Sequence, residues 1–503
     1  MIALRTIPRI CVALGAAHTR ELEAMALEAC DSGEEFFELR LDLVKDSSKG
    51  LRVIGRILRR YPDAIVLATC RRKPNHGGFE GSIEEQFRIL NGAVRAGAKL
   101  VDVEIETAQE APEETVALRE KARVVLSYHD FERTPPLARI LKTMRRIPAD
   151  IYKITTTAVK PSDNLRLLDL AAIDDAPSLV LLAMGETGAA SRILSPSRGA
   201  VFTFASPEPG RGEATAPGQF SASCMRNCFQ AHRRKPSTKI FGVIADPVAH
   251  SMSPALHNRA FRTRRIDAVY LPFRVAPALL NDFIKSAEAL PVSGFSVTIP
   301  HKQRVMRHLD LIDPLAKRIG AVNTVYRKQG KLRGTNTDAV GVVRPLEKKV
   351  RLNHSQALVV GAGGAARAAI FSLNDRGAEV FVSGRNPQRV ARLARACGAT
   401  PVLWRDLEDQ YYDVLVQTTP VGMSPNVAGD LFPGRIPADI VFDMVYNPLE
   451  TALLAHARED GKETISGLEM FIEQAAAQFE IWTGDSAPRV AMRNAVLEVL
   501  EGA

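Results

Sequence analysis

Lys153 interrupts an apolar run, Ile151-Tyr152-Lys153-Ile154. Desolvating an ammonium in such surroundings lowers its pKa and frees the amine as a nucleophile. His129 closes the preceding run, and imine chemistry needs a proton shuttle of that kind near neutral pH. Taken singly, Lys153 reads equally as a lysine whose stem packs while its head reaches solvent, and His129 as a hydrogen-bonded structural histidine. A second pair, Lys302 and Asp338, suits proton transfer or an ordinary ion pair. Around it stand Ser251-Met252-Ser253-Pro254, Thr298 and Gly320-Ala321-Val322-Asn323, small hydroxyls and an amide that suit a polyhydroxylated ring. The same residues serve equally as helix caps and turns.

A third group is Gly361-Ala362-Gly363-Gly364-Ala365, preceded by Ala357-Leu358-Val359-Val360. Strand, glycine turn and helix start set a pyrophosphate over a helix N-terminus. Arg385 lies 24 residues beyond Gly361, directly after the strand Glu379–Ser383. An acid there would hold the ribose hydroxyls of NAD. The cation favours the 2′-phosphate of NADP, unless Arg385 is only a solvated surface arginine.

The elements that must position these groups are legible as short apolar runs. Eight recur in the first half: Ile10–Leu14, Phe36–Asp42, Ala64–Cys70, Leu100–Glu106, Arg123–Asp130, Asp150–Thr156, Ser178–Gly185 and Ala200–Ser206. Helix-compatible stretches separate them, among them Thr19–Cys30, Ile83–Ala96 and Asn164–Ala171. This alternation predicts parallel strands covered by helices, closed as a (β/α)8 barrel, with an open doubly wound sheet as the alternative. The run Ile10–Leu14 is then a first strand and not a signal peptide. Glu38, Arg40 and Asp42 alternate along strand two and share a face. Arg71 follows strand three and Arg192 follows strand seven, so these side chains gather at the C-terminal strand ends. The polar, basic stretch 224–238 precedes a new strand at Lys239 and marks a domain boundary.

Composition narrows the function classes. The chain has 503 residues, 46% hydrophobic and 24% charged, a core-forming composition. No window approaches the roughly 20 uncharged apolar residues of a membrane helix. A net charge of +9 is mild over this length and suits anionic small molecules; no dense basic run argues for nucleic acid. Six cysteines are too few for a disulfide scaffold, and Cys224 and Cys228 lack a second pair for zinc. Reduced thiols in a cytoplasmic protein without a metal, monomeric or homodimeric, are the expectation.

Phe37-Glu38-Leu39-Arg40-Leu41-Asp42, Ser127-Tyr128-His129-Asp130-Phe131, the Lys153 strand, Gly185 through Ser191-Arg192, and Ala216-Pro217-Gly218-Gln219 together resemble type I 3-dehydroquinate dehydratase over roughly residues 8–225. The resemblance implies that Lys153 forms an imine with the substrate ketone and that His129 moves the proton and assists loss of water. It implies that Arg192 pairs with the substrate carboxylate, and that Glu38, Arg40, Arg71 and Gln219 hold substrate hydroxyls and the closing loop. Thr215 replaces the family's serine in that loop. The family's glutamate after strand three is absent from Arg71-Arg72-Lys73-Pro74-Asn75-His76-Gly77-Gly78, which also leaves open which arginine enters the site.

The second half resembles shikimate dehydrogenase over residues 239–500. The match is completed by Thr418-Thr419-Pro420-Val421-Gly422-Met423, Asp443-Met444-Val445-Tyr446-Asn447-Pro448 and Gly467-Leu468-Glu469-Met470 through Gln474. The resemblance implies a catalytic Lys302–Asp338 pair and hydride delivery from NADPH to 3-dehydroshikimate. Ser251, Ser253, Thr298, Asn323, Tyr446 and Gln474 would contact the substrate, the Ser-x-Ser pair favouring shikimate over quinate. Gly361, Gly363, Gly364, Ala365, Arg385, Thr418 and Met423 would hold the cofactor in a Rossmann domain.

The expected organisation is a barrel over 1–225, a linker at 226–238, a substrate-binding domain over 239–338, a cofactor domain over 339–470, and C-terminal helices over 471–503 returning to the substrate domain. One chain carrying both halves is similar to bifunctional dehydroquinate dehydratase/shikimate dehydrogenases, in which the product of the first half is reduced by the second. Two alternatives are open. One is a metabolite-sensing regulator similar to quinate-pathway repressors, which would lack the catalytic residues that Lys153, His129, Lys302 and Asp338 provide here. The other is an enzyme with only the dehydrogenase half active.

Overall fold

The structure is a computed structural model and describes residues 2–173, 175–407 and 409–501. Two compact units are present: Met1–Ile240 with Asp246–His250 and Asp267–Val292, and Phe241–Ala245 with Ser251–Ile266 and Ser293–Ala503.

In the first unit eight parallel strands alternate with helices: β1 (Ile10–Leu14), β2 (Phe36–Arg40), β3 (Ile65–Thr69), β4 (Leu100–Glu104), β5 (Arg123–His129), β6 (Ile151–Thr157), β7 (Leu179–Met184) and β8 (Thr203–Ala205). Their order is β7-β6-β5-β4-β3-β2-β1-β8, so β1 joins β2 to β8 and the ladder runs almost around the ring. Among the described residues β7 and β8 form no continuous ladder; the Val201 amide donates to the Leu179 carbonyl at 2.8 Å across the seam. The expected barrel is therefore present and nearly closed. The strands are shorter than the apolar runs: β2 stops at Arg40, and Asp42 lies in a short 3₁₀ turn, Leu41–Leu43.

Period two along the strands sorts the barrel interior into layers. A lower layer, Cys11, Phe36, Leu67, Leu100, Val125, Ile151, Val180 and Phe202, forms one buried apolar cluster. Two residues further along the same strands come Glu38, Thr69, Asp102, Ser127, Lys153, Leu182 and Phe204. Each is buried, so the polar layer rests on an apolar floor at the C-terminal strand ends.

The later part of the chain adds β9 (Lys239–Ala245), β10 (Ala268–Arg274), β11 (Val292–Val297), β12 (Leu311–Ile312), β13 (Thr324–Lys328) and β14 (Lys331–Thr335). In the second unit a mixed sheet runs β9-β11-β13-β14-β12. A separate parallel sheet has β15 (Gln356–Val360), β16 (Glu379–Ser383), β17 (Thr400–Pro401), β18 (Tyr412–Gln417), β19 (Ala438–Asp443) and β20 (Glu463–Ile465) in the order β17-β16-β15-β18-β19-β20. That is the doubly wound order whose switch point, beside β15, forms a crevice for a dinucleotide. Apolar residues on both of its faces cover it with helices, as near-continuous valine- and leucine-rich strands require. The helix Gly467–Thr483 runs back to the mixed sheet, where Gln478 meets Ser296 of β11 at 2.8 Å and the Trp482 indole donates to the Val325 carbonyl of β13 at 3.1 Å.

Candidate active sites

The barrel mouth encloses a cavity of about 300 Å³ lined by Glu38, Arg40, Arg71, His129, Lys153, Arg192, Thr215 and Gln219, eight residues anticipated from the sequence. Lys153 is 4% exposed, as its apolar neighbours suggest, but its surroundings at the ammonium are acidic. Its Nζ donates to Asp102 Oδ2 at 3.0 Å, lies 3.6 Å from Glu38 Oε1, and sits 4.3 Å from the centre of the Phe204 ring. The apolar run alone does not show these partners: β2 and β4 each bring a carboxylate to β6 because all three side chains occupy the same layer. Ser127 donates to Asp102 Oδ1 at 2.6 Å and Thr69 to Glu38 Oε1 at 2.8 Å, so both acids are oriented. Burial by itself would raise the Asp102 carboxyl; Lys153, Arg71 and the Ser127 hydrogen bond hold it below the usual aspartate range.

Arg71 Nη2 lies 2.9 Å from His129 Nε2, which settles which arginine enters the site. Arg72 turns away: its amide donates to Glu104, and its guanidinium faces Glu110 at 3.9 Å. Because a guanidinium only donates, the imidazole accepts at Nε2 and is neutral. Burial, then the cations of Arg71, Lys153 and Arg40, push His129 well below the ordinary imidazole range. Arg40 is held by both oxygens of Asp42, at 2.9 and 2.7 Å.

Arg192 is fully buried, and burial pulls its guanidinium down to about 10. Nη2 donates to the Pro217 carbonyl at 3.1 Å, while Nε and Nη1 meet no partner among the described residues. Two buried donors without a partner, on a cation that lines the cavity, are chemically suited to a planar anion. Thr215 and Gln219 bond one another at 3.3 Å within the segment that bears Pro217.

Asp102, which holds Lys153, and Phe204 and His76, which line the cavity, escaped the sequence reading. Asp102 carried the same signal as Lys153, a charge inside an apolar strand. Phe204 looked like ordinary core. His76 sits in a loop, at φ 58°, with no pattern to mark it; its ring lies 4.2 Å from Phe131, which in turn lies near-parallel to His129 at 5.9 Å.

In the second unit Lys302 Nζ donates to Asp338 Oδ2 at 2.6 Å. Asp338 opens the helix Asp338–Glu347, where the amide dipoles favour a carboxylate. Asn323 donates to Asp338 Oδ1 at 2.8 Å and to Thr337 Oγ1 at 3.0 Å, and accepts from the Thr337 amide at 2.7 Å. Its amide group is therefore engaged in orienting Asp338. The Ser251 hydroxyl accepts weakly from the Ser253 amide, at 3.4 Å, and Ser253 begins the helix Ser253–Thr263. Thr298 is half-buried after β11, and its amide donates to the Ile244 carbonyl at 3.2 Å. Gln474 donates to the Phe471 carbonyl at 3.1 Å, and Tyr446 stacks on Phe471 at 4.9 Å.

The glycine turn after β15 fits a dinucleotide. At Gly361, φ is 129° and an added Cβ would stand 2.3 Å from Thr418 Oγ1, so only glycine permits this approach. Thr418 itself donates to the Val360 carbonyl at 2.7 Å. An added Cβ at Gly363 or Gly364 would meet nothing among the described residues, leaving the start of the helix Gly364–Asn374 open to a pyrophosphate, with Ala365 in its first turn and no side-chain cap. Arg385 is exposed after β16 and Met423 is 46% exposed after β18. Among the described residues no cluster of histidine, cysteine, aspartate or glutamate is arranged to hold a metal, and no helix is long and apolar enough to cross a membrane.

Residues 10–236 match the model for type I 3-dehydroquinase. Residues 243–325 match the shikimate dehydrogenase substrate-binding domain, 345–420 the shikimate/quinate 5-dehydrogenase model, and 467–497 the shikimate 5′-dehydrogenase C-terminal domain. A bifunctional 3-dehydroquinate dehydratase/shikimate dehydrogenase of Arabidopsis thaliana, described as chloroplastic, is 35% identical over 95% of this chain and 83% of its own. An NADP(+)-dependent shikimate dehydrogenase of Bacillus cereus is 43% identical over 52% of this chain and 99% of its own. A crystal structure of a shikimate dehydrogenase in complex with NADP+ is 36% identical, with a TM-score of 0.50, covering 53% of this chain and 97% of that one. With both halves matched in order along one continuous relative, the chain belongs to the family of bifunctional 3-dehydroquinate dehydratase/shikimate dehydrogenases.

Proposed function

We propose that the chain converts 3-dehydroquinate to shikimate in two steps, the barrel removing water and the second unit reducing the product with NADPH. The observation that carries the first step is the buried pair of unpaired Arg192 donors sharing a cavity with Lys153 and His129. The substrate carboxylate bridges those donors and places the ketone toward Lys153. Asp102 and Glu38 hold the amine in place and take up its proton as the nitrogen attacks. Water leaves, and the resulting iminium acidifies the adjacent carbon. Neutral His129 removes that proton, the C–O bond to the leaving hydroxyl breaks, and His129 returns the proton to form water. Hydrolysis releases 3-dehydroshikimate and restores Lys153.

In the second unit NADPH, when bound, supplies a hydride to the ketone. Lys302 donates a proton to the ketone oxygen, and Asp338 aims it through the 2.6 Å hydrogen bond. Asn323 fixes Asp338, while Ser251, Ser253, Thr298, Tyr446 and Gln474 contact the substrate. Gly361, Gly363, Gly364, Ala365, Thr418 and Met423 cradle the cofactor, and Arg385 meets its 2′-phosphate. Six cysteines, none of them in a disulfide among the described residues, support a reducing cytoplasmic setting, with the chain acting as a monomer or homodimer. All four reacting side chains are present and paired, which disfavours a sensor that has lost its chemistry.

The test supplies 3-dehydroquinate and NADPH to the full chain and identifies the product by mass spectrometry. Shikimate, with NADPH consumed in equal amount, is expected. Accumulation of 3-dehydroshikimate with no NADPH consumed would defeat the second assignment, and unchanged 3-dehydroquinate the first.

A further inference from the structure

Arg367 lies one turn into the helix Gly364–Asn374, close behind the glycine cradle. Its side chain reaches the end of the helix Pro314–Ile319. Nε donates to the Ile319 carbonyl and Nη2 to the Arg318 carbonyl at 3.1 Å. Those are the last carbonyls of the helix Pro314–Ile319, groups that have no partner within their own helix and that attract a cation. The guanidinium also stacks 5.5 Å over Phe371. A second tie, Arg318 to Asp375 at 2.9 Å, joins the same two helices. Between them Ile319, Ala321, Ala339 and Ala368 form one small buried cluster, so this seam is packed as well as hydrogen-bonded.

Beyond Ile319 the chain forms the floor of the Lys302–Asp338 site. Gly320 ends the helix at φ 70°. The Ala321 carbonyl accepts from Asn336 at 3.0 Å, and the Val322 amide donates to the Lys302 carbonyl at 2.8 Å. Asn323 then donates to Asp338 at 2.8 Å. A connected path therefore runs from the first turn behind the cradle, through two carbonyls, to the backbone of one reacting residue and the carboxylate of the other.

We infer that Arg367 is a positioning residue that couples occupancy of the dinucleotide cradle to the geometry of the Lys302–Asp338 pair. The inference rests on the assignment of NADP to the cradle and shikimate to the pair. A cofactor seated on the amides at Gly364 fixes this helix, and Arg367 carries that fixation to residues 318–323. Shikimate then binds a site already in its reacting arrangement. The coupling is reciprocal, as linkage requires.

The experiment measures shikimate affinity on the full chain by calorimetry, with and without saturating NADP+. NADP+ tightens shikimate binding by about 5-fold or more in the wild type, the lower end of ordinary coupling. Arg367→Leu keeps the stem on Phe371 and removes both donors; the effect of NADP+ falls below about 2-fold, while each ligand alone binds within about 3-fold of wild type. Arg367→Lys, with one point charge in place of the fork, gives an intermediate coupling and serves if the leucine variant does not fold. Dehydratase turnover stays at the wild-type rate in both. Undiminished coupling in either variant overturns the inference. So does a loss of about tenfold or more in affinity for NADP+ alone, which would make Arg367 a cofactor ligand, and so does an absence of coupling in the wild type. A wild type that binds neither ligand overturns the functional assignment itself, a distinguishable result.

Discussion

Lys153 Nζ and Asp102 Oδ2 are 3.0 Å apart at the centre of a nearly closed barrel, the two residues 4% and 1% exposed. The nucleophile is thus stored as an ion pair, and its carboxylate partner stands ready to take the proton that imine formation releases. Borohydride added with 3-dehydroquinate is expected to label the wild type covalently and to leave Lys153→Ala unlabelled. In Asp102→Asn the ammonium loses its nearest hydrogen-bonding carboxylate and the group that takes its proton, so trapping slows by about tenfold or more. An unchanged trapping rate in Asp102→Asn would remove the aspartate from this role.

Arg192 opposes stability in the free protein, because a desolvated cation with two idle donors is costly. Arg192→Met should raise the melting temperature of the ligand-free chain while weakening 3-dehydroquinate. Two charge-assisted hydrogen bonds at about 1.5 kcal/mol each correspond to roughly 100-fold in affinity. Thermal shift with and without substrate reads both effects; a variant that is less stable yet binds normally contradicts the assignment.

His129 is neutral because burial and then Arg71 oppose its charging. The acid limb of dehydratase kcat/KM should consequently lie below the ordinary imidazole range. In Arg71→Gln that limb moves upward, toward higher pH, since the nearest cation is gone. An unmoved limb would assign it to another group.

Phe131 lies against the base, and His76 lies against Phe131. Ring stacking contributes about 0.5–1.5 kcal/mol, so His76→Ala should lower dehydratase kcat by up to roughly tenfold. His76→Phe keeps the stack and should keep the rate. If phenylalanine fails as badly as alanine, the imidazole has a polar duty instead.

Asp443 ends β19 fully buried, and burial pushes its carboxyl up to about 6 despite hydrogen bonds from Thr451 and the Val445 amide. Its folded value exceeds its unfolded one, so the native state is favoured by protonation. That contribution is complete below about pH 4 and is lost as pH rises through about 6, a change on the order of 2–3 kcal/mol. Asn at this position keeps the bond from the Val445 amide through Oδ1 and meets Thr451 with the direction reversed, Nδ2 donating to Oγ1, without a charge. Asp443→Asn should therefore gain stability relative to wild type between pH 4 and pH 7, as seen in melting temperature against pH. A constant difference across that window would contradict the buried charge.

Much of this was written along the chain. Eight apolar runs separated by amphipathic stretches specify parallel strands with covered faces, because a strand buried on both sides has no room for polar alternation. A glycine turn between strand and helix specifies a phosphate cradle, because only glycine lets the backbone approach there. Lys153, His129, Lys302 and Asp338 stood out for a similar reason, each a charge or an imidazole where local burial or spacing made it costly or purposeful.

Tertiary structure decided what each of them faces. Asp102 reaches Lys153 from a strand 51 positions away, and Arg71, not Arg72, reaches His129, because inter-strand register and barrel layering set those distances. Arg40 pairs with Asp42 where the chain leaves β2 and turns through Leu41–Leu43, which brings the carboxylate back to the guanidinium. Side-chain chemistry is local and can be read residue by residue. Electrostatic environment is a sum over neighbours in space, and only the folded chain supplies those neighbours.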